Sequence, residues 1–384
     1  AKSASGGVLR KKIGDVSDEI IADTGVFKTA ANTSGYTGGI IQTINNLRIY
    51  GYKYSANNYT GDNCGWITTP LYDDGEFMDG QTSSSAAGKC SDWGNPIAEI
   101  MYESMRYFAG KGEATAAYDY TPGSTIKDVK LDLPHDTWNN PYDKDNGGFD
   151  YCSKPFLLVL SDINPNYDTD QLPGVYKDTT LTPPVNFGSG FTETEGLSLS
   201  VADLAKTISE TEELVSADEF RFIGQTSNKV NDKGAYCSAK DMTAWGLGAL
   251  RGLCPEEPTK RGGYYAASVA YYGKTHDLNA ATGDQKVTTY AVALASPLPE
   301  IKVYIGADKK LVTLVPFGKT VGNNGNSVPW PYAPTNTIVD YYVEEISATH
   351  GNCQINFEDV EQGADHDLDA LVTYEYWLVD NAGN

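Results

Sequence analysis

Ile40, Ile41, Ile44 and Leu47 recur at helical spacing behind Gly38-Gly39 and predict a short amphipathic helix. A stronger helix opens at Asn95-Pro96, where Asn suits the cap and Pro the first turn, and carries the apolar stripe Ile97, Ile100, Met101, Met105 and Phe108. It is predicted to stop before Gly110. The unbroken apolar run from Phe156 to Leu160, ended by Ser161-Asp162, has the character of a strand buried on both faces and predicts a central parallel strand. Ser200-x-x-Asp203 forms a capping-box pattern ahead of a helix through Ile208, and further helices are predicted over Met242–Leu250 and Tyr264–Tyr272. Val287 to Ala295 gives a second buried strand, closed by Pro297 and Pro299. Strands alternating with helices over residues 1–299 predict an α/β fold, a doubly wound and mostly parallel sheet, with the polar stretches 110–150 and 166–198 as long loop insertions. Beyond Pro299 the period changes to two. Ile301, Val303 and Ile305 alternate with polar residues, a turn falls at Ala307-Asp308-Lys309, Leu311–Val315 returns, and Ile338–Ile346 and Ala370–Val379 are also strand-like. Residues 300–384 are therefore expected to form a smaller β-rich module.

Charge narrows the function classes. The chain has 51 acidic and 29 basic residues in 384, a net charge of −22, which repels phosphate backbones and anionic lipid. Nucleic acid is therefore excluded as a partner. No apolar run approaches the roughly 20 residues that span a bilayer, so no membrane insertion is expected. Tyr (26) outnumbers Phe (11) and Trp (6) together, a composition suited to half-buried sheets and contact surfaces of an extracellular binding protein. The six cysteines are irregularly spaced without a C-x-x-C, and their even number suits disulfides. Cys64–Cys90 and Cys237–Cys254 are the short-range candidates, Cys152 and Cys353 stay unassigned, and free buried thiols are the alternative. The chain opens Ala-Lys-Ser-Ala-Ser without an initiator Met or an apolar leader, so any signal peptide is expected to have been removed or to lie upstream.

Open α/β sheets bind ligands beyond the carboxyl ends of their strands, and Asp162 falls there. Asn95, opening the strongest helix, can face the same rim, so the two offer hard oxygen ligands to Mg²⁺ or Ca²⁺. The alternative is an Asx turn at Asp162 and a simple cap at Asn95. Asp365, Asp367 and Asp369 alternate, so an extended backbone points all of them one way, and three adjacent anions are costly unless a cation such as Ca²⁺, or water, neutralises them. Ala370 and Tyr376 at the sixth and twelfth positions rule out an EF-hand, and a solvated acidic turn is the alternative. Asp143 to Gly148 reads as a plain turn. No H-E-x-x-H, G-x-S-x-G, G-x-G-x-x-G or Walker A pattern occurs, and His135, His276, His350 and His366 lie apart. No catalytic residue is assigned.

Several blocks resemble one family. Gly94-Asn95-Pro96-Ile97-Ala98-Glu99-Ile100-Met101-Tyr102-Glu103 with Arg106-Tyr107-Phe108 is similar to the second metal loop and helix of von Willebrand factor A domains, and more narrowly to the PilC/PilY family of type IV pilus proteins. The resemblance continues in Leu47–Tyr50, Cys64–Thr68, Lys154–Pro165, Asp170–Gly174, Ala267–Tyr272, Val287–Pro299 and Phe357–Asp367, in order along almost the whole chain. It implies an A-domain fold in a secreted protein at the cell surface or pilus tip, acting in pilus assembly, retraction control and adhesion, with pilins or surface ligands as partners. It further implies that Asp162 matches an A-domain metal aspartate, with Asn95 in place of the family's Thr. The D-x-S-x-S metal loop and the C-terminal propeller are not in this sequence, so the resemblance implies a chain that starts after the first A-domain strand and stops before the propeller. The leading expectation is a non-enzymatic, metal-dependent pilus-associated binding and assembly module. A disulfide-braced spacer and a two-carboxylate hydrolase are the alternatives.

Overall fold

The computed structural model describes residues 6–47, 95–118, 133–161, 165, 168–181, 184–188, 196–214, 220–225, 238–241, 246–253, 262–293, 301–305, 309–314, 318–321, 332–347, 349–359 and 370–379. Near the start, β1 (Ile20–Ile21) and β2 (Val26–Phe27) make a minimal hairpin. Helix α1 (Ile40–Asn46) follows as its spacing predicts, and the Glu19 carboxylate accepts the N–H groups of Ile40 (2.7 Å) and Ile41 (3.2 Å), an anion placed at a helix N-terminus. The apolar stripe of α1 is exposed and Thr43 is its buried residue.

Helix α2 (Ile97–Phe108) forms over the predicted residues, but with a different inner face. Ile100 is 43% exposed, whereas Glu99, Glu103 and Arg106 are buried with Met101, Tyr102, Met105 and Phe108. Strand β3 (Phe156–Ser161) pairs in parallel with β9 (Thr288–Ala293), from Phe156 opposite Thr288 to Ser161 opposite Ala293. The parallel pairing agrees with the α/β reading; burial on both faces does not hold. Leu157 and Val159 pack on the core while Phe156, Leu158 and Leu160 are 57–62% exposed, because only one face carries helices among the described residues.

Between these strands, β4 (Lys177–Asp178) and β5 (Val185–Asn186) form a small antiparallel pair. Strands β6 (Phe220–Gln225), β7 (Ser238–Asp241) and β8 (Arg251–Leu253) form an antiparallel sheet in the order β7-β6-β8, which sequence periodicity did not predict. Helices α3 (Val201–Thr211) and α4 (Tyr265–Thr275) match expectation. Of the helix predicted over Met242–Leu250, the described part is a single 3-10 turn, Gly246–Ala249. A Cβ on Gly248 would lie 2.3 Å from the Ala202 carbonyl, so this turn packs backbone to backbone on α3. The capping box at Ser200 does not form either. Ser200 Oγ donates to Asp203 at 2.6 Å, and the first N–H groups of α3, at Val201 and Ala202, donate instead to the carbonyls of Pro173 and Gly174, each at 3.1 Å.

The main core joins α2, α3 and α4 with the segment that runs through β4 and β5: Tyr102, Met105, Leu172, Tyr176, Phe187, Val201, Tyr265 and Val269 are each at most 2% exposed. The stretch 166–198 is thus not a surface insertion in its described part, since it supplies Leu172, Val175, Tyr176, Val185 and Phe187 to that core. The C-terminal strands build a second core. Hairpin β10 (Ile301–Ile305) and β11 (Lys310–Leu314) lies beside an antiparallel sheet in the order β12 (Gly318–Val321), β13 (Tyr332–Ile346), β14 (His350–Asp359) and β15 (Ala370–Trp377). Ile301 and Val303 meet Cys353 and Ile355, with Val372, Tyr374 and Tyr376 around them.

Candidate functional site

The carboxyl end of β3 and the starts of α2 and α4 converge. Asn95, just ahead of α2, donates from Nδ2 to Ser161 Oγ at 2.9 Å, so the side chain expected to cap the helix is turned toward the end of β3. The helix begins after Pro96 with no side-chain cap. Asp168 takes part of that role from a distant segment. Its fully buried carboxylate accepts the Gly263 N–H, ahead of α4, at 2.9 Å, and the Ala98 N–H in the first turn of α2 also holds it. A carboxylate set between two helix N-termini faces the positive end of both dipoles.

In the same first turn of α2, the fully buried Glu99 joins segments distant in sequence. Its carboxylate accepts the N–H of Gly6 at 2.5 Å and that of Gln171 at 3.1 Å. Tyr118 donates its hydroxyl to the Gln171 carbonyl and lays its ring on Gly6 so closely that a Cβ there would overlap it. Gly6 also has φ +55°, so glycine is required twice over. A second turn carries Glu103, which accepts from Thr115 N (2.7 Å) and Thr115 Oγ1 (2.6 Å) and faces Arg106 Nη1 at 3.4 Å. Arg106 donates to the Glu113 carbonyl at 2.9 Å and stacks over Trp138.

Burial pushes the Glu99 carboxyl well above the ordinary carboxylate range, the nearby Asp170 charge pushes it further, and the Gly6 and Gln171 N–H groups oppose the shift. Burial raises Asp168 in the same way against its backbone donors. A carboxyl whose folded-state pKa is raised contributes stability fully present below its unfolded pKa of about 4 and lost as pH climbs through the folded value. Urea unfolding from pH 5 to 8 is therefore expected to show wild-type stability falling with pH, and Glu99→Gln, whatever its absolute stability, losing less over that range. Equal slopes would mean that Glu99 carries no such penalty.

Of the residues singled out from sequence, Asn95 is placed at the rim. Asp162, Asp365, Asp367 and Asp369 lie outside the described residues, as do Cys64, Cys90, Cys237 and Cys254. Cys152 is exposed and Cys353 buried, both as free thiols. Among the described residues, no group of three or more His, Cys, Asp or Glu side chains is arranged to hold a metal ion, and no helix is long and apolar enough to cross a membrane. Sequence reasoning missed Glu99, Glu103 and Asp168. Their available signal was spacing: Glu99 and Glu103, at i and i+4, share one helix face with Arg106 three residues on.

Comparison with known proteins bears on what this arrangement serves. The family model described as PilY1 homolog, second domain, matches residues 1–273, and that described as PilY1 homolog, beta-sandwich, matches residues 305–383. A type IV pilus biogenesis factor PilY1 homolog of Xylella fastidiosa (strain Temecula1 / ATCC 700964) is 36% identical over 406 residues, covering 100% of this chain. The chain spans 25% of that relative's length. No solved structure matches it. With a parallel pair flanked by helices at one end, a second β-core at the other, and domain matches in the same order, the chain belongs to the PilY1 homolog family of type IV pilus proteins.

Proposed function

We propose that this chain is a non-enzymatic binding and assembly segment of a pilus-associated surface protein, working through the rim where β3, α2 and α4 converge. Identity along the entire chain to a pilus biogenesis factor homolog is the observation that carries the reading. An A-domain-like sheet is part of the proposal, with Leu157 and Val159 on its covered face and β3 delivering Asp162 to the rim. Asn95, held against Ser161 next to Asp162 in sequence, would supply one oxygen ligand to Mg²⁺ or Ca²⁺ and Asp162 another. Such a cation supplies an electrophilic anchor for a partner's carboxylate. Asp365, Asp367 and Asp369 are the second proposed Ca²⁺ position, and Cys64–Cys90 and Cys237–Cys254 the proposed cross-links. The partners are pilins or surface ligands, and the location is extracellular.

The test is genetic and physical together. Asn95→Ala with Asp162→Ala, built into the full-length gene of the source strain, is expected to reduce surface pili counted by electron microscopy and to abolish the heat of Mg²⁺ and Ca²⁺ titration into the purified segment. Unchanged piliation on removing the whole segment would sink the assembly role. No titration heat in the wild type would sink the metal.

A further inference from the structure

The outward face of the C-terminal sheet has a chemistry that the rim does not use. Along β14, Gly351, Cys353 and Ile355 are buried toward the second core, which leaves Asn352, Gln354 and Asn356 in a row on the opposite side. On β15, Val372, Tyr374 and Tyr376 pack inward, so Thr373, Glu375 and Trp377 face out. The register aligns these outward positions: Asn352 opposite Glu375, Gln354 opposite Thr373, and His350 opposite Trp377. Tyr342 of β13 stands opposite Gln354 on the other flank. Trp377 is 61% exposed and Tyr342 65%. The His350 ring braces Trp377 at 5.2 Å between centroids, and Glu345 holds His350 at 3.3 Å. Glu344 accepts from Asn352 at 2.8 Å.

A large aromatic ring at each end, with the Gln354 amide, the Thr373 hydroxyl and the Glu375 carboxylate between them, makes an unusual surface for a protein core to cover. An apolar cover would desolvate the Gln354 amide and the Glu375 carboxylate without compensation. A ligand that matches it must present flat C–H faces to the rings and hydroxyls to the polar groups between them. From strand spacing and rise, Tyr342 and Trp377 stand about 16 Å apart, a reach that needs several linked rings rather than one. The net charge of −22 argues against a polyanion. On these grounds we propose that the β13–β15 face binds a neutral polysaccharide, with Trp377 and Tyr342 as stacking platforms and Gln354 and Thr373 as hydroxyl partners. This goes beyond the pilus reading and does not depend on the rim or on a metal.

Native gels cast with soluble galactomannan, dextran or mixed-linkage β-glucan test it on the full chain, with alginate as the anionic comparison and poly-lysine binding measured in parallel. Retardation in at least one neutral polysaccharide is expected. Trp377→Ala is expected to weaken it about tenfold or more and Tyr342→Ala to weaken it less, since the indole offers the larger stacking face. Both side chains are exposed, so unchanged melting temperatures show that the variants fold. Should Trp377→Ala unfold, Tyr342→Ala and Gln354→Ala carry the test. No retardation in any neutral polysaccharide overturns the proposal, as does retardation that these variants leave intact. Binding confined to alginate or to poly-lysine overturns it as well.

Discussion

Arg106→Met is expected to cost about 3–5 kcal/mol of folding stability, the penalty for stranding a buried charge whose partner has been removed. The Arg106 and Glu103 side chains are only 3% and 4% exposed, and burial already raises the Glu103 carboxyl, with Thr115 and then Arg106 holding it down. Without the guanidinium, Glu103 keeps its Thr115 donors but loses its counter-charge, and the Glu113 carbonyl loses its donor. Pairing the change with Glu103→Gln removes the stranded charge and is expected to recover a large part of the loss. Urea unfolding of the single and double variants measures both quantities. A single-variant loss below about 1 kcal/mol would mean that water reaches the pair.

Gly174→Ala is the second large effect. Gly174 has φ +67°, and a Cβ there would stand 2.5 Å from the Ser200 backbone, at the point where the Gly174 carbonyl receives the Ala202 N–H and starts α3. Left-handed strain of roughly 1–2 kcal/mol adds to overpacking of roughly 1–3 kcal/mol, so a loss of about 2–5 kcal/mol is expected. Gly25 supplies the control. It has the same φ, +67°, with nothing within 4 Å of the added carbon, so Gly25→Ala should show the strain alone. Equal losses at the two positions would refute the steric part of the account.

These cases show where the sequence was informative. Helices α2 and α4 and strands β3 and β9 announce themselves because apolar residues recur at one period over a sufficient length. The inner face of α2 was misjudged for a physical reason: periodicity assigns charged residues to solvent, yet Glu99 and Glu103 find backbone N–H donors inside the protein. Those donors come from chain-distant segments that no local window contains. Leu172, Val175 and Tyr176 entered the core without any period, set among Pro173 and Gly174. Strand β14 stayed hidden because Gly351 and Cys353, two of its inward residues, are weakly hydrophobic, so its alternation with Asn352 and Gln354 is faint. At the rim, the position of Asn95 was legible from the Asn-Pro helix-start signal, whereas its bond to Ser161 depends on how two elements approach.

The bridge made by Glu99 also orders events during synthesis. Gly6 and Gln171 lie 93 and 72 residues from it along the chain, so these bonds cannot form until both ends of that span have emerged and met. Until then Glu99, Glu103 and Arg106 keep a nascent α2 charged on the side it will later hide. The growing chain thereby carries its own solubilising group through the interval in which a purely apolar helix would be most exposed to aggregation.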